Sequence, residues 1–119
     1  MSVTFSNRSV DVDFDDADTY LNLANSNAGD LLRWLGLPAY AQYGDLIGDL
    51  AAVELAARCR RRLWPEPRNL DPARPSVDLE QPGRAHFLEC GRQAGYLRER
   101  TGQLLALCER DLASIIDWS

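Results

Sequence analysis

The sequence contains no lysine, and all 13 of its basic side chains are arginine. This absence excludes the reaction classes that need a lysine amine, such as P-loop phosphate binding, Schiff-base chemistry and attachment of pyridoxal phosphate. His86 is the only histidine, so a zinc site built on a pair of histidines is excluded as well. We predict no catalytic residue, and these exclusions together favour a protein that is not an enzyme.

Cysteine is also scarce: Cys59, Cys90 and Cys108 are an odd number of thiols, widely spaced, with no C-x-x-C pair. A secreted disulfide scaffold is denser in cysteine, so we predict three reduced, mostly buried thiols. No run of about 18 apolar residues is present, which predicts no membrane span. The first residues lack the basic start and apolar stretch of a signal peptide, so we expect a cytoplasmic protein.

The composition that is present, 119 residues with 45% hydrophobic and 26% charged, is typical of one globular domain. The net charge is -5, and a protein that is acidic overall is a poor binder of phosphate backbones. The one basic cluster, residues 58–62, is interpreted as a solvated helix end, where the helix dipole favours cations. We therefore expect neither nucleic acid nor a membrane as the partner.

Hydrophobic alternation predicts the strands. The predicted strands are 3–5 paired with 10–14 as a hairpin, 20–23, 76–80 paired with 85–90 as a second hairpin, and 114–118. In the first hairpin, the three aspartates that alternate with the apolar residues of 10–14 would line a solvated face. Pro82 and Gly83 supply the turn of the second hairpin.

Apolar residues at helical spacing predict three helices, over 28–35, 50–63 and 92–112. Asn27 and Asp49 are the predicted N-caps of the first two helices. The predicted water-facing residues of the third helix are Arg98, Glu99, Arg100, Gln103, Glu109 and Arg110. Residues 65–75 form a proline-rich loop. The sequence thus predicts a single α+β domain over residues 1–119: two layers, with about three helices on a small mixed or antiparallel sheet.

Two segments carry a resemblance: LNLANSNAGDLLRWLGL, and CGRQAGYLRERTGQLLAL followed by IIDW. Together they resemble a loose family of small uncharacterised actinobacterial and phage proteins. The resemblance covers residues 20–37, 44–63 and 90–118. It implies a compact mixed fold and a bacterial cytosolic setting, and we separately expect an origin in a phage or mobile element. It brings no activity and no functional residue with it.

The acidic run at residues 11–16 has the D-x-D-x-D spacing that opens a calcium-binding EF-hand loop. However, Asp16 stands where that loop needs glycine, and Asn22 stands where it needs a bidentate glutamate. We interpret the run as a charged edge strand that discourages aggregation.

The three cysteines and His86 offer the ligand count of a Cys₃His zinc site. His86 and Cys90 lie four residues apart in a strand pattern, which separates them by ~13 Å, too far for one ion. Cys90 also precedes a predicted helix start, where the pKa of a thiol can fall, so a reactive Cys90 is the alternative to a buried thiol. We predict no metal and no cofactor.

Two strand-to-helix junctions are the predicted ligand site: Asn25, Ser26 and Asn27 at the first, and Gly91 and Arg92 at the second. Free N–H groups at helix N-termini favour anions, so a small anionic ligand would fit if both junctions share one sheet edge. The alternative is plain capping of the same N–H groups.

Three tryptophans lie at positions that are hard to bury: Trp34 beside the apolar stripe of its helix, Trp64 at a helix end and Trp118 near the terminus. Because interfaces are enriched in aromatic residues, they predict a homodimer or a partner-binding face. The alternative is that each packs at an edge of the core. We therefore expect a binding or interaction protein that is not an enzyme. The other hypothesis is an anionic-ligand-binding or enzymatic domain that uses the helix N-termini.

Overall fold

The computed structural model describes residues 2–38, 47–64, 77–78, 88–89 and 95–119. The elements are, in chain order, β1 (Ser2–Asn7), β2 (Tyr20–Ala24), α1 (Asn25–Trp34), β3 (Gly48–Ala51), α2 (Ala52–Leu63), β4 (Val77–Asp78), β5 (Leu88–Glu89), α3 (Tyr96–Glu109) and β6 (Ile115–Trp118). A short 3-10 helix, Ala17–Thr19, leads into β2.

Four strands form one antiparallel sheet in the order β2-β1-β6-β3. The last strand of the chain therefore lies inside the sheet, where Trp118 pairs with Phe5 on one side and with Gly48 on the other. The three helices and this sheet make a two-layer α+β fold, as the sequence predicts, and the sheet is antiparallel. β4 and β5 pair separately as a second antiparallel ribbon.

One face of the sheet packs against the helices because alternate strand residues point to the same side. Its buried side chains are Val3, Phe5, Leu21, Leu23, Ile116 and Trp118. The helices contribute Ala28, Leu31, Leu32, Ala52, Leu55, Ala56, Cys59, Leu97, Leu104, Leu107 and Cys108. The opposite face is polar: the Asn22 side chain donates to the hydroxyls of Ser2 and Thr4 at 3.1 and 2.8 Å.

The predicted strand over 10–14 is wrong, because β1 pairs with β2 instead and the acidic run forms a loop. Within it the carboxylates of Asp13 and Asp16 accept the backbone N–H groups of Asp15 and Asp18 at 2.9 and 3.0 Å. Such local side-chain bonds compete with a strand ladder for the backbone. Thr19 closes the loop through its hydroxyl, which contacts both the N–H and the carbonyl of Asp13.

Both predicted N-caps are also wrong. Asn27 lies inside α1 and is buried, and α1 begins at Asn25 with Ala24 as its N-cap. Asp49 belongs to β3, and α2 begins three residues later with Ala51 as its N-cap. In both cases a strand runs directly into a helix without a linking residue, so neither N-cap side chain makes a capping hydrogen bond.

The C-terminal half agrees with the sequence pattern where it is described. α3 lies within the predicted helix 92–112, and Gly95 precedes it with a left-handed φ of 81°, which glycine adopts at no steric cost. The pairing of Val77 with Glu89 confirms that the second hairpin forms. Its turn and the proline-rich loop 65–75 lie outside the described residues.

Candidate functional site

The predicted anion site is only half described. Asn25, Ser26 and Asn27 form the first turn of α1, where Asn27 is buried and the other two are half-buried. Gly91 and Arg92 lie outside the described residues. Whether the two junctions converge on one ligand therefore stays a prediction.

The tryptophans occupy three different environments. Trp64, at the end of α2, is 81% exposed, whereas Trp34 is half-buried with the guanidinium of Arg62 4.4 Å from its ring centroid. Trp118 is only 6% exposed and packs against Phe5, at 5.7 Å between ring centroids. The expectation that all three are hard to bury is wrong for Trp118, because its strand lies inside the sheet and its side chain faces the helices.

The described thiols, Cys59 and Cys108, are free and buried in the contact between α2 and α3. Burial raises the pKa of each thiol to about 12, which leaves almost no thiolate at neutral pH. Cys90 and His86 lie outside the described residues. In the part of the chain that is described, no three metal-ligating side chains converge, and no helix is long and apolar enough to cross a membrane.

Several arginines cap the carboxyl ends of neighbouring helices. Arg58 donates to the carbonyls of Leu35 and Gly36, at 3.1 and 3.3 Å, just after α1. Arg62 donates to the carbonyl of Trp34 at 2.5 Å. These bonds satisfy carbonyls that a helix end leaves without partners. The basic cluster at 58–62 thus joins α2 to the end of α1, a more specific role than the solvated helix end expected for it.

Arg100, on α3, and Arg110, directly after it, have no carboxylate within 4.0 Å in the described residues. Arg100 stacks over Tyr96 at 4.8 Å and donates to the side-chain oxygen of Gln103 at 2.5 Å. Its Nε is buried and has no hydrogen-bond partner among the described residues. Arg110 makes one long contact, 3.4 Å to the carbonyl of Asp18. Both charges are therefore available to a ligand.

These arginines line a groove of about 600 Å³ between β2 and α3. The other lining residues come from the segment that leads into β2, from β2 itself and from the facing side of α3. They are Ala17, Asp18, Tyr20, Leu21, Asn22, Gln103, Ala106 and Leu107. The volume is within the range of ligand-binding clefts.

One wall of the groove is the free edge of the sheet. Thr4 exchanges both of its backbone hydrogen bonds with Ser119, at 2.9 and 3.2 Å, so Thr4 faces the β6 side of β1. In an antiparallel ladder successive residues face opposite neighbours, so Phe5 bonds to its partner Leu21 in β2. The N–H and C=O of the next residue, Asn22, consequently point away from the sheet. Because β2 is the outermost strand among the described residues, they have no strand partner there and face the groove.

The other wall is a stripe along α3. Arg100, Gln103, Leu107 and Arg110 are spaced by three, four and three residues, which places them on one side of the helix. Ten residues of helix separate the two arginines by roughly 15 Å. β2 has five residues, so its ends lie ~13 Å apart, which is a similar length. The groove is thus as long as one short strand, with an arginine at each end.

Sequence reasoning assigned Arg100, Gln103 and Arg110 to solvent, and it missed the groove. Their helical spacing shows that they share one side of α3. No sequence signal shows that this side borders an edge strand, because the strand order depends on β6 entering the sheet next to β1.

Comparison with protein-family models, with curated proteins and with solved structures found no match for this chain.

Proposed function

We propose that this chain is an interaction protein of the bacterial cytosol, not an enzyme, and that it binds a protein partner by strand addition. An extended segment of the partner would add to the outer edge of β2 and lie in the groove against α3. The observation that carries the proposal is the edge at Asn22, which has no strand partner in the described part of the chain and opens directly onto that groove. Two reduced, buried thiols support the cytosolic setting.

The edge of β2 lacks the features that block strand pairing. Natural edge strands are protected by charged side chains, proline or bulges. The sequence of β2, YLNLA, has no charge and no proline. On the opposite edge of the sheet, β3 carries Asp49, within 3.7 Å of Arg8. An unprotected edge beside a helix is the arrangement that several peptide-binding domains use for strand addition.

An aromatic pair, the exposed Phe14 and the half-buried Tyr20, extends this surface. Phe14, in the acidic loop, is 72% exposed and packs edge-on against Tyr20, at 5.1 Å between ring centroids. The Tyr20 hydroxyl donates to the Phe14 carbonyl at 3.3 Å, which fixes the pair beside the groove. Aromatic side chains are enriched in binding surfaces, because they bury a large area with few rotatable bonds.

The proposal is tested with a random octapeptide display library selected on the immobilised full chain. Enriched peptides are then titrated into the ¹⁵N-labelled protein. We expect the largest amide shifts at Tyr20 and Asn22 and along the groove side of α3. If no peptide is enriched, or if the shifts map elsewhere, the proposal is wrong.

A matched pair of variants at Asn22 tests the backbone directly. Asn22→Pro removes the outward N–H without removing a bond inside the sheet, and proline is tolerated on edge strands for that reason. Asn22→Ala loses the same side-chain bonds to Ser2 and Thr4 but keeps the N–H. We expect N22A to bind the selected peptides and N22P to bind roughly tenfold more weakly or not at all. Equal binding would contradict strand addition.

A further inference from the structure

The groove has a charge pattern that selects among extended segments. Arg100 and Arg110 stand at its two ends, each without a carboxylate in the described part of the chain. Leu107, which is buried, and Ala106 lie between them. Asp18 also lines the groove, but it meets Arg110 through its carbonyl and no ion pair joins the two. The α3 wall of the groove therefore has an arginine near each end, with Gln103, Ala106 and Leu107 between them.

The period of a β-strand matches this pattern. Side chains at i, i+2 and i+4 of a strand point to one side, and four residues of strand advance ~13.5 Å. The two arginines are separated by roughly 15 Å along α3. The flexible stems of the arginine side chains can absorb the difference of about 1–2 Å. A strand added to β2 would thus place its residues i and i+4 beside the two arginines and i+2 beside Leu107.

We infer that the partner of this groove is an acidic peptide segment, with Asp or Glu at i and i+4 and an apolar residue at i+2. The inference rests on the proposed strand addition and names the chemistry that the added strand must carry. The acidic side chains neutralise Arg100 and Arg110. The apolar side chain at i+2 packs against the exposed Ala106 and the small accessible part of Leu107.

Arg100 gives the strongest reason for a carboxylate. Its guanidinium already bonds to Gln103 and stacks on Tyr96, so the group is held in place before a ligand arrives. Its Nε has almost no exposed surface, so a ligand in the groove would meet the terminal nitrogens of the guanidinium instead. A carboxylate oxygen is the acceptor that matches a guanidinium, with charge-assisted bonds that are stronger than neutral ones.

A second copy of this chain fits the groove less well. Pairing of β2 with the β2 of another copy would bring Arg100 and Arg110 of both copies to one interface. Like charges placed together at an interface are strongly unfavourable. Of the described residues that line the groove, Asp18 alone carries a carboxylate, so an acidic segment of a different protein meets two opposite charges and one like charge.

The experiment compares three synthetic, end-capped peptides in titrations of the ¹⁵N-labelled full chain. The first, Thr-Glu-Thr-Val-Thr-Glu-Thr, carries the inferred pattern. The second has glutamine in place of both glutamates. The third, Thr-Thr-Glu-Val-Glu-Thr-Thr, keeps the composition but places both glutamates on the side opposite valine. We expect the first peptide to bind at least tenfold more tightly than the other two, and its advantage to shrink at high salt.

Single variants then assign the contacts. Arg100→Gln and Arg110→Gln should each weaken the first peptide about tenfold and leave the glutamine peptide unaffected. Arg61→Gln is the matched control, since Arg61 is an exposed arginine on α2 that does not line this groove. The Arg61→Gln variant should bind the first peptide with unchanged affinity.

The outcomes separate this inference from the proposed function. If all three peptides shift Tyr20 and Asn22 with equal affinity, acid recognition is wrong and strand addition stands. If none of the three binds, acid recognition is again wrong, and the library selection decides strand addition independently. Broadening of the Tyr20 and Asn22 amides with protein concentration, without peptide, would identify a second copy as the occupant and overturn the inference.

Discussion

Replacement of Gly48 by alanine tests the packing of the sheet interior. A Cβ at this position would lie 2.7 Å from two ring carbons of Trp118 and 2.8 Å from its indole nitrogen. Ordinary carbon contacts are about 3.5–4.0 Å, so the ring or the strand must move by ~1 Å. Trp118 is held on its other side by Phe5 and is almost fully buried. The ring therefore has no free direction in which to move.

The size of the effect follows from two opposing contributions. Overpacking a core costs roughly 1–3 kcal/mol. Removing a glycine from the unfolded chain returns about 0.5–1 kcal/mol. We expect Gly48→Ala to lower the free energy of unfolding by about 1–2 kcal/mol, which lowers Tm by roughly 4 °C per kcal/mol for a domain of this size. Urea unfolding followed by tryptophan fluorescence and a thermal scan measure both quantities.

Gly102 supplies the matched control. It lies in the middle of α3, and an added Cβ would meet nothing within 4 Å. Because alanine is a better helix former than glycine, Gly102→Ala should raise stability by about 0.5–1 kcal/mol. Replacement of glycine by alanine is thus expected to lower the free energy of unfolding at position 48 and to raise it at position 102. If Gly48→Ala is as stable as the parent, or if both variants lose the same stability, the described packing of Trp118 is wrong.

Three further predictions concern buried and paired groups. The buried Asn7 amide donates to two carbonyls at the end of α3, at 3.2 and 3.1 Å, and leucine would leave both without this donor. Asn7→Leu should therefore lower the free energy of unfolding in urea by about 1–3 kcal/mol. An unchanged urea midpoint would contradict this prediction. Cys59 and Cys108, each with a pKa of about 12, should resist iodoacetamide at neutral pH until the protein is unfolded. Peptide mass spectrometry identifies which thiol is labelled. Rapid labelling of either thiol in the native protein would be inconsistent with its burial. Arg8 holds the pKa of Asp117 below its usual value, chiefly through their hydrogen bond. The pair therefore stabilises the fold at neutral pH. That stabilisation is lost as the pH falls below about 4 and through the lowered pKa of Asp117. Asp117→Asn should flatten the dependence of the urea midpoint on pH between about pH 5 and pH 2, and an equally steep profile would refute the role of the pair.

The fold was predictable where a local pattern determines the structure. Alternation identified β1 and β2, and helical spacing identified the buried side of α2. The strand assigned to 10–14 failed because alternating apolar residues were weighed above the aspartates between them. Side chains such as Asp13 bond to nearby N–H groups and turn the chain. The N-caps failed for a related reason, since Asn27 has a good capping side chain but β2 continues directly into α1.

The candidate site was not predictable from the sequence in the same way. Asn25 and its neighbours were chosen because helix N-termini favour anions, a local property. The groove instead depends on contacts between segments that are far apart in the chain. β6 must lie between β1 and β3 before β2 becomes an edge, and α3 must then bring Arg100 and Arg110 alongside that edge. Periodicity along one segment does not contain this information.

Hydrogen exchange at Asn22 tests the central claim most directly. We expect the Asn22 amide to exchange rapidly in the free protein, because it points outward from an edge strand. The Leu21 amide, which is bonded to β1, should exchange slowly. Addition of the peptide with glutamate at both end positions should protect Asn22 and leave Leu21 unchanged. Slow exchange of Asn22 in the free protein, or no added protection under saturating peptide, would contradict the account.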